Sequence, residues 1–227
     1  MGRRSNLATV IEPDTLERYL STLKTPEGNS LAILLRALKF KDPYTFYHSR
    51  RVASLATLVC YEMQLHPQVA RSIILAALAH DIGKISTPDR ILKKPGRLTR
   101  DEFLIMKNHP APSVEMLEPF KEFAEVLPSI RHHHERIDGF GYPDGIKGEE
   151  IPLGARIILV VDTYDAMTSD RSYRKGCGPE IALAELKECT GSQFDAEIVG
   201  QFTNGIQALT QEGLDQIDVF IDKICQI

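Results

Sequence analysis

The stretch IILAALAHDIGK, residues 73–84, joins a short apolar run to a histidine and an aspartate. The run is the purest apolar segment of the chain, but it is far shorter than the ~20 residues that a membrane span needs. Pro67 can start a helix that runs to His80, on which Ile73, Ala77 and His80 share one face. The stretch therefore predicts a helix with an apolar face that carries a histidine to its end.

Helical patterns dominate the rest of the chain, and we expect an all-α fold. The segment IILVVD at 157–162 fits a buried strand or a buried helix, and the absence of other convincing strands favours the helix. Turn-rich segments are predicted at 25–29, 86–98 and 139–148. The predicted helices cover 14–23, 30–40, 45–64, 67–80, a segment opened by a capping box at Thr99–Glu102, about 112–134, 179–189, 195–210 and the tail.

Length and composition limit the class of protein. The chain has 227 residues, of which 43% are hydrophobic, so we predict one large domain at 30–227, preceded by an N-terminal helical extension or linker at 1–29. A net charge of −4 argues against binding of a nucleic-acid polymer. The chain has no signal-peptide pattern or membrane segment, and its four cysteines are scattered. These features predict a soluble, reduced, cytoplasmic protein.

Five histidines and two aspartates form the candidate site. Taken singly, a histidine on an apolar face can be a neutral core ring, and an aspartate can cap a helix or pair with an arginine. Together they offer too many donors for one tetrahedral ion, but they suit two ions about 3.5–4 Å apart that share a carboxylate. The set predicts a dinuclear metallohydrolase of unassigned substrate, with His48, His80, Asp81, His109, His133, His134 and Asp162 as donors.

Two motifs, HDIGK at 80–84 and HHERIDGFGYPDG at 133–145, resemble those of the HD-GYP family of HD phosphohydrolases, which hydrolyse cyclic di-GMP. The resemblance covers about residues 36–204. It extends to DPYTFYHSRRVA (42–53), PDRILKKPGRLT (88–99), the His-Pro pair (109–110), IKGEEIPLGARI (146–157), VDTYDAMTSDR (161–171) and GSQFDAEIV (191–199).

The resemblance implies a helical bundle of the HD phosphohydrolase type with a dinuclear metal site in its core. Iron is the expected metal, with manganese as the alternative. His132 is then the spare member of the histidine triplet. By position, the first metal would be held by His48, His80, Asp81 and Asp162, and the second by His109, His133 and His134, with Asp81 bridging.

The chemistry implied by the resemblance is attack of a metal-bridging hydroxide on a phosphodiester. Asp81 and Lys84 would be catalytic, with Lys84 stabilising developing negative charge or the leaving oxygen; the alternative is an exposed lysine. Arg171 and Arg174 could clamp the second phosphate of the substrate.

Two further residues belong to the signature segment. Glu135 could orient a ligand ring from outside the ligand set, or could be a solvated acid near Arg136. Tyr142 could close the site, meet a partner or pack under its loop. A diguanylate cyclase or adaptor is the partner expected at this loop.

Three positions depart from the family pattern. Tyr44 stands where some members carry a glutamate that holds a third metal, so a two-metal centre is favoured. Ser113 and Ser172 stand where glycine and proline are common, and neither removes a proposed ligand.

Hydrolysis of cyclic di-GMP to linear pGpG, with further hydrolysis to GMP open, is the predicted function. The alternatives are hydrolysis of another cyclic dinucleotide such as cyclic GMP-AMP, a non-catalytic adaptor that binds nucleotide or a diguanylate cyclase, and another HD-type phosphohydrolase activity.

Overall fold

The computed structural model describes residues 26–170 and 175–225. Within these residues the chain is helical, and the only β-pairing is two isolated bridges, one of them joining His134 to Tyr142. The helices are α1 Pro26–Lys41, α2 Pro43–Glu62, α3 Pro67–Ala79, α4 Asp89–Leu92, α5 Arg100–Lys107, α6 Pro110–Leu117, α7 Leu127–Arg131, α8 Leu153–Thr168, α9 Pro179–Glu188, α10 Ala196–Ala208 and α11 Gln211–Cys225. The all-α prediction is confirmed.

Prolines mark the start of several helices, including α1, α2 and α3. Proline suits the first helical position because its missing N–H would have no partner there and its φ is already helical. The helix predicted from Ser30 therefore begins at Pro26, and the turn predicted at 25–29 is wrong from Pro26 onward. The helix predicted at 14–23 lies outside the described residues.

The helical segment predicted at about 112–134 is not continuous. The chain instead forms α6, a 3-10 turn at Lys121–Phe123, and α7. Pro119 and Pro128 explain the interruption, because a proline inside a helix removes one hydrogen bond and its ring clashes with the preceding turn. A short helix, α4, likewise forms inside the segment predicted as loop at 86–98.

Two local predictions are confirmed. The ambiguous segment 157–162 lies inside α8, whose buried residues include Ile157, Ile158 and Val161. Thr99 and Glu102 form the reciprocal capping box that opens α5. This cap matters for the site, because α5 leads directly to His109.

Helix α2 is the centre of the bundle and packs against α1, α3, α8, α10 and α11. Its core-facing residues include Val52 and Val59, and His48 is buried on the same helix. The second half of α3, from Ile73 to Ala79, is buried throughout. Polar side chains at the ends of these helices therefore lie in a desolvated interior. None of the described helices has the length and apolar character that a membrane crossing requires.

Candidate metal centre

The seven predicted donors converge from five places in the chain. His48 lies in the second turn of α2, and Asp162 lies in α8. The other five follow helix ends: His80 and Asp81 come directly after α3, His109 lies between α5 and α6, and His133 and His134 come just after α7.

Asp81 occupies the middle of this cluster. Its Oδ2 atom lies 3.4 Å from His80 Nε2 and 3.6 Å from His48 Nε2, while its Oδ1 atom lies 3.1 Å from His109 Nε2. His48 Nε2 is also 3.0 Å from Asp162 Oδ1. The two carboxylate oxygens of Asp81 therefore face two different sets of donors. Three overlapping groups have the spacing of ligands to one ion: His48, His80 and Asp162; His109, His133 and His134; and His80, Asp81 and His133.

Three of the histidine rings are oriented by the same local device. The Nδ1 atoms of His80, His109 and His133 lie 2.7, 2.8 and 2.6 Å from the carbonyl oxygens of the residues three positions earlier. Carbonyls in the last turn of a helix lack helical partners, so they can accept these bonds. With the proton on Nδ1, each Nε2 lone pair faces the interior of the cluster.

Burial keeps three of the rings neutral. Desolvation lowers the pKa of His109 to about 4 and that of His134 to about 3, and it places the pKa of His133 well below its usual value. A neutral imidazole has a free lone pair and can coordinate a metal ion at pH 7.

His48 is held by a residue that the sequence analysis did not single out. Asp165 lies one turn after Asp162 in α8, and its Oδ2 atom is 2.7 Å from His48 Nδ1. Arg51 donates to both oxygens of the same carboxylate, at 2.6 and 3.0 Å. Burial disfavours a charged His48, but the bonds with Asp162 and Asp165 outweigh it and raise the pKa of His48 to about 9.

The donor set fits divalent cations. His80 Nε2 is buried and makes no hydrogen bond. The Nε2 atoms of His109 and His133 lie 3.1 Å apart. When the proton of each ring is on Nδ1, both Nε2 atoms are acceptors, and neither can donate a hydrogen bond to the other. Buried acceptors without donors are costly. Nitrogen and oxygen donors at these separations are what zinc, iron or manganese ions prefer.

Lys84 reaches the cluster through a 3-10 turn. The chain leaves the α-helix after Ala79 and forms a 3-10 turn at Ile82–Ser86. Lys84 is then three residues from Asp81, and its Nζ atom donates to Asp81 Oδ2 at 2.6 Å. Burial raises the pKa of Asp81, but Lys84 and the neighbouring histidines outweigh it and hold that pKa well below its usual value.

The signature loop lies directly beside the cluster. Glu135 is buried, and its Oε1 atom accepts hydrogen bonds from the backbone N–H groups of Asp144 and Gly145. The ring of Tyr142 stacks on His134 with 4.6 Å between centroids. A side chain at Gly141 would collide with the backbone of Glu135. Glu135 thus fixes the loop, and the loop covers one ligand ring.

Ser113, noted as a departure from the family pattern, joins two ligand segments. Its buried hydroxyl accepts from the N–H of Gly83 at 2.8 Å and lies within hydrogen-bonding distance of the carbonyls of His80 and His109. Arg171 and Arg174 lie outside the described residues.

A second acidic and histidine group lies at the edge of the loop. His132 Nδ1 is 3.5 Å from Asp144 Oδ2. Arg131 already donates two hydrogen bonds to the Asp144 carboxylate, both at 2.8 Å. Because the Arg131 guanidinium neutralises the Asp144 carboxylate, this group of side chains differs from the central cluster.

A cavity of about 910 Å³ opens over the cluster. Its floor includes His48, His109, His134 and Asp162, and Lys84 also lines it. The cavity has the volume of pockets that hold drug-sized ligands, which is about 300–1,000 Å³.

Comparison with known proteins identifies the class. A model of the HD domain family matches residues 32–198, and the chain belongs to this family. The resemblance to HD-GYP phosphodiesterases predicted from the motifs is confirmed by its curated relatives.

Two relatives and one solved structure illustrate the similarity. The chain is 41% identical over 187 residues to the cyclic di-GMP phosphodiesterase PA4108 of Pseudomonas aeruginosa, covering 82% of this chain and 44% of the relative. It is 38% identical over 153 residues to the 3'3'-cGAMP-specific phosphodiesterase 1 of Vibrio cholerae, covering 67% of this chain and 36% of the relative. The chain thus spans less than half the length of these two relatives.

The solved structure of Bd1817, a HDG"Y"P protein from Bdellovibrio bacteriovorus, aligns with a TM-score of 0.60 at 15% identity, covering 86% of this chain and 69% of that chain. At this identity the likeness shows the fold alone.

Proposed function

We propose that this chain is a metal-dependent phosphodiesterase that hydrolyses cyclic di-GMP to linear pGpG, with GMP as a further product. The observation that carries the proposal is Asp81, whose two oxygens face separate donor groups beneath an open cavity. This arrangement suits a carboxylate that bridges two ions, and paired ions are used to hydrolyse phosphate esters.

Our proposed division of the ligands is the one that the motifs imply. His48, His80, Asp81 and Asp162 would hold one divalent cation, and His109, His133 and His134 would hold the second, with Asp81 shared. Iron is our expected metal, with manganese as the alternative. When bound, such cations lower the pKa of water and neutralise charge on phosphoryl oxygens.

Residues beside the ligands would bind and orient the substrate. The Lys84 ammonium lines the cavity and carries a positive charge next to Asp81, so it can stabilise charge on a phosphoryl or leaving oxygen. Asp165 would hold the ring of His48 in one tautomer and orientation. Arg171 and Arg174 remain our proposed contacts to the second phosphate.

Cyclic di-GMP is the favoured substrate because it is named for the relative of highest identity among those compared above. A cyclic GMP-AMP substrate is the second candidate, since a relative with that specificity shares 38% identity. The adaptor alternative is disfavoured, because no donor of the seven is missing. Contact of the loop around Tyr142 with a diguanylate cyclase or adaptor, the division of the chain at residue 30, and a cytoplasmic location all stay predictions.

The test is an assay of products and metal on the same sample. The protein is loaded anaerobically with Fe²⁺ or with Mn²⁺, its metal content is measured, and cyclic di-GMP and 3'3'-cyclic GMP-AMP are supplied at equal concentrations. We expect two equivalents of metal and faster formation of pGpG than of the cyclic GMP-AMP product. Tight binding of cyclic di-GMP without cleavage by either loaded form would favour the adaptor alternative.

A further inference from the structure

One wall of the cavity is built by the loop before α5 and by one face of that helix. Arg100, Phe103 and Lys107 recur at intervals of three and four residues and all line the cavity. The eight residues of α5 rise about 12 Å, and His109 follows two residues after its end. This face therefore leads from the metal cluster to the outer part of the cavity.

The positive charges along this wall are only partly neutralised. Lys93 pairs with Asp89 at 2.9 Å, and Lys94 pairs with Glu102 at 2.5 Å. The side chains of Arg97 and Arg100 make no ion pair or hydrogen bond with any residue in the described ranges. Two guanidinium groups are thus left available to an anion in the cavity.

Phe103 adds an apolar surface beside these charges. Phe103 is 52% exposed and lines the cavity, so its ring is open to contact with a ligand there. Phe103 shares its helix face with Arg100, which lies three residues earlier. An aromatic ring next to a cation is the combination that proteins use to stack a nucleobase and hold the adjoining phosphate.

We propose that Arg97, Arg100 and Phe103 form an outer subsite for the nucleotide whose phosphate is not being cleaved. The inference rests on the proposed function, because it assumes a dinucleotide anchored at the metal cluster by its other phosphate. Phe103 stacks on the distal base, and the two arginines contact the distal phosphate.

The experiment compares matched variants of the full metal-loaded chain. Phe103→Ala is paired with Leu104→Ala, which removes the next exposed apolar side chain of α5, one that does not line the cavity. The double variant R97A/R100A is paired with Arg90→Ala, an exposed arginine of α4 outside the cavity lining. Steady-state kinetics are measured with cyclic di-GMP, with cyclic di-AMP and with the small diester bis(p-nitrophenyl) phosphate.

We expect Phe103→Ala to raise KM for cyclic di-GMP about 5- to 100-fold with little change in kcat, as expected for one lost base stack. The double arginine variant should raise KM by about 10-fold and reduce its dependence on salt, since fewer phosphate contacts remain. Both variants should lose more on the dinucleotides than on the small diester, which carries no second phosphate and no nucleobase. The two control variants should keep the wild-type KM.

The outcomes separate the two proposals. Equal KM values for Phe103→Ala and Leu104→Ala overturn the base contact. Cyclic di-AMP carries the same phosphates as cyclic di-GMP, so a rise in KM of R97A/R100A for cyclic di-GMP alone overturns the phosphate contact. If the wild-type chain cleaves neither dinucleotide, the proposed function fails. Calorimetric titration of cyclic di-GMP into the same set of variants then decides the subsite, and equal dissociation constants for each variant and its control reject it.

Discussion

Replacing Asp165 by asparagine tests whether a residue outside the ligand set controls metal binding. The Asp165 carboxylate is 4% exposed, and its Oδ2 atom lies 2.7 Å from His48 Nδ1. Asparagine keeps the shape of the side chain but removes its charge, and its amide N–H₂ can face the ring nitrogen instead of an acceptor. His48 then loses the bond that orients its ring with Nε2 toward the cluster.

The size of the effect follows from the role of this bond, which orients the ring of His48. Loss of a partner that orients a metal-bound histidine costs about 10–100-fold in metal affinity. We expect an effect near the middle of that range, about a 30-fold weaker site, or about 2 kcal/mol. Arg51 also loses a partner, but its side chain is 42% exposed and can turn to solvent.

The assay is a competition titration with Mn²⁺ and a chelator of known affinity, read as metal equivalents bound. The control is Asp222→Asn, because Asp222 pairs with Arg50, the residue next to Arg51, and contacts no histidine of the cluster. We expect Asp165→Asn to bind one of its two metal equivalents more weakly than the wild type. The control should bind both equivalents with wild-type affinity. Wild-type affinity for both equivalents in Asp165→Asn would mean that Asp165 serves only to bind Arg51.

Three further substitutions probe the centre. Asp81→Ala should abolish turnover and lose both metal equivalents, since a bridge serves both; metal analysis that finds two equivalents contradicts the bridging role. Lys84→Ala should keep both equivalents but lower kcat by about 100-fold in a product assay, and an unchanged kcat would remove Lys84 from the chemistry. Gly83→Ala should destabilise the fold by about 1–3 kcal/mol in thermal unfolding, because the added carbon meets the backbone of His109 and Ser113. Gly200→Ala, where the carbon meets nothing within 4 Å, should not destabilise the protein.

The donors could be predicted because most of them lie where helices end. The apolar pattern of α3 predicts its end at His80, and a histidine there can use the free carbonyl three residues earlier. Asp165 was missed although it carried a signal: it lies three residues after Asp162, so both acids share one face of a helix. The sequence pattern does not show that this face of α8 packs against α2. That packing brings Asp165 to His48 and Arg51.

Prolines account for the main difference between the predicted and the observed helix bounds. Helix is predicted at about 112–134, and Pro119 and Pro128 divide this segment. The position of the Lys84 side chain depends on the 3-10 turn that follows α3. A continued α-helix would place Lys84 one turn beyond His80, whereas the 3-10 turn brings its ammonium to Asp81 Oδ2. The catalytic role of Lys84 stays a prediction.

The distribution of charge agrees with the proposal that this acidic chain binds an anionic dinucleotide. The chain has a net charge of −4, which disfavours a long polyanion because repulsion acts along its whole length. The described cavity lining has the opposite balance: Asp42 and Asp162 are its acids, and its cations are Lys84, Lys93, Lys94, Arg97, Arg100 and Lys107. Charges more than about 8 Å apart at the surface are largely screened at physiological salt. A small ligand that enters the cavity therefore meets the local positive charge, although the chain as a whole is acidic.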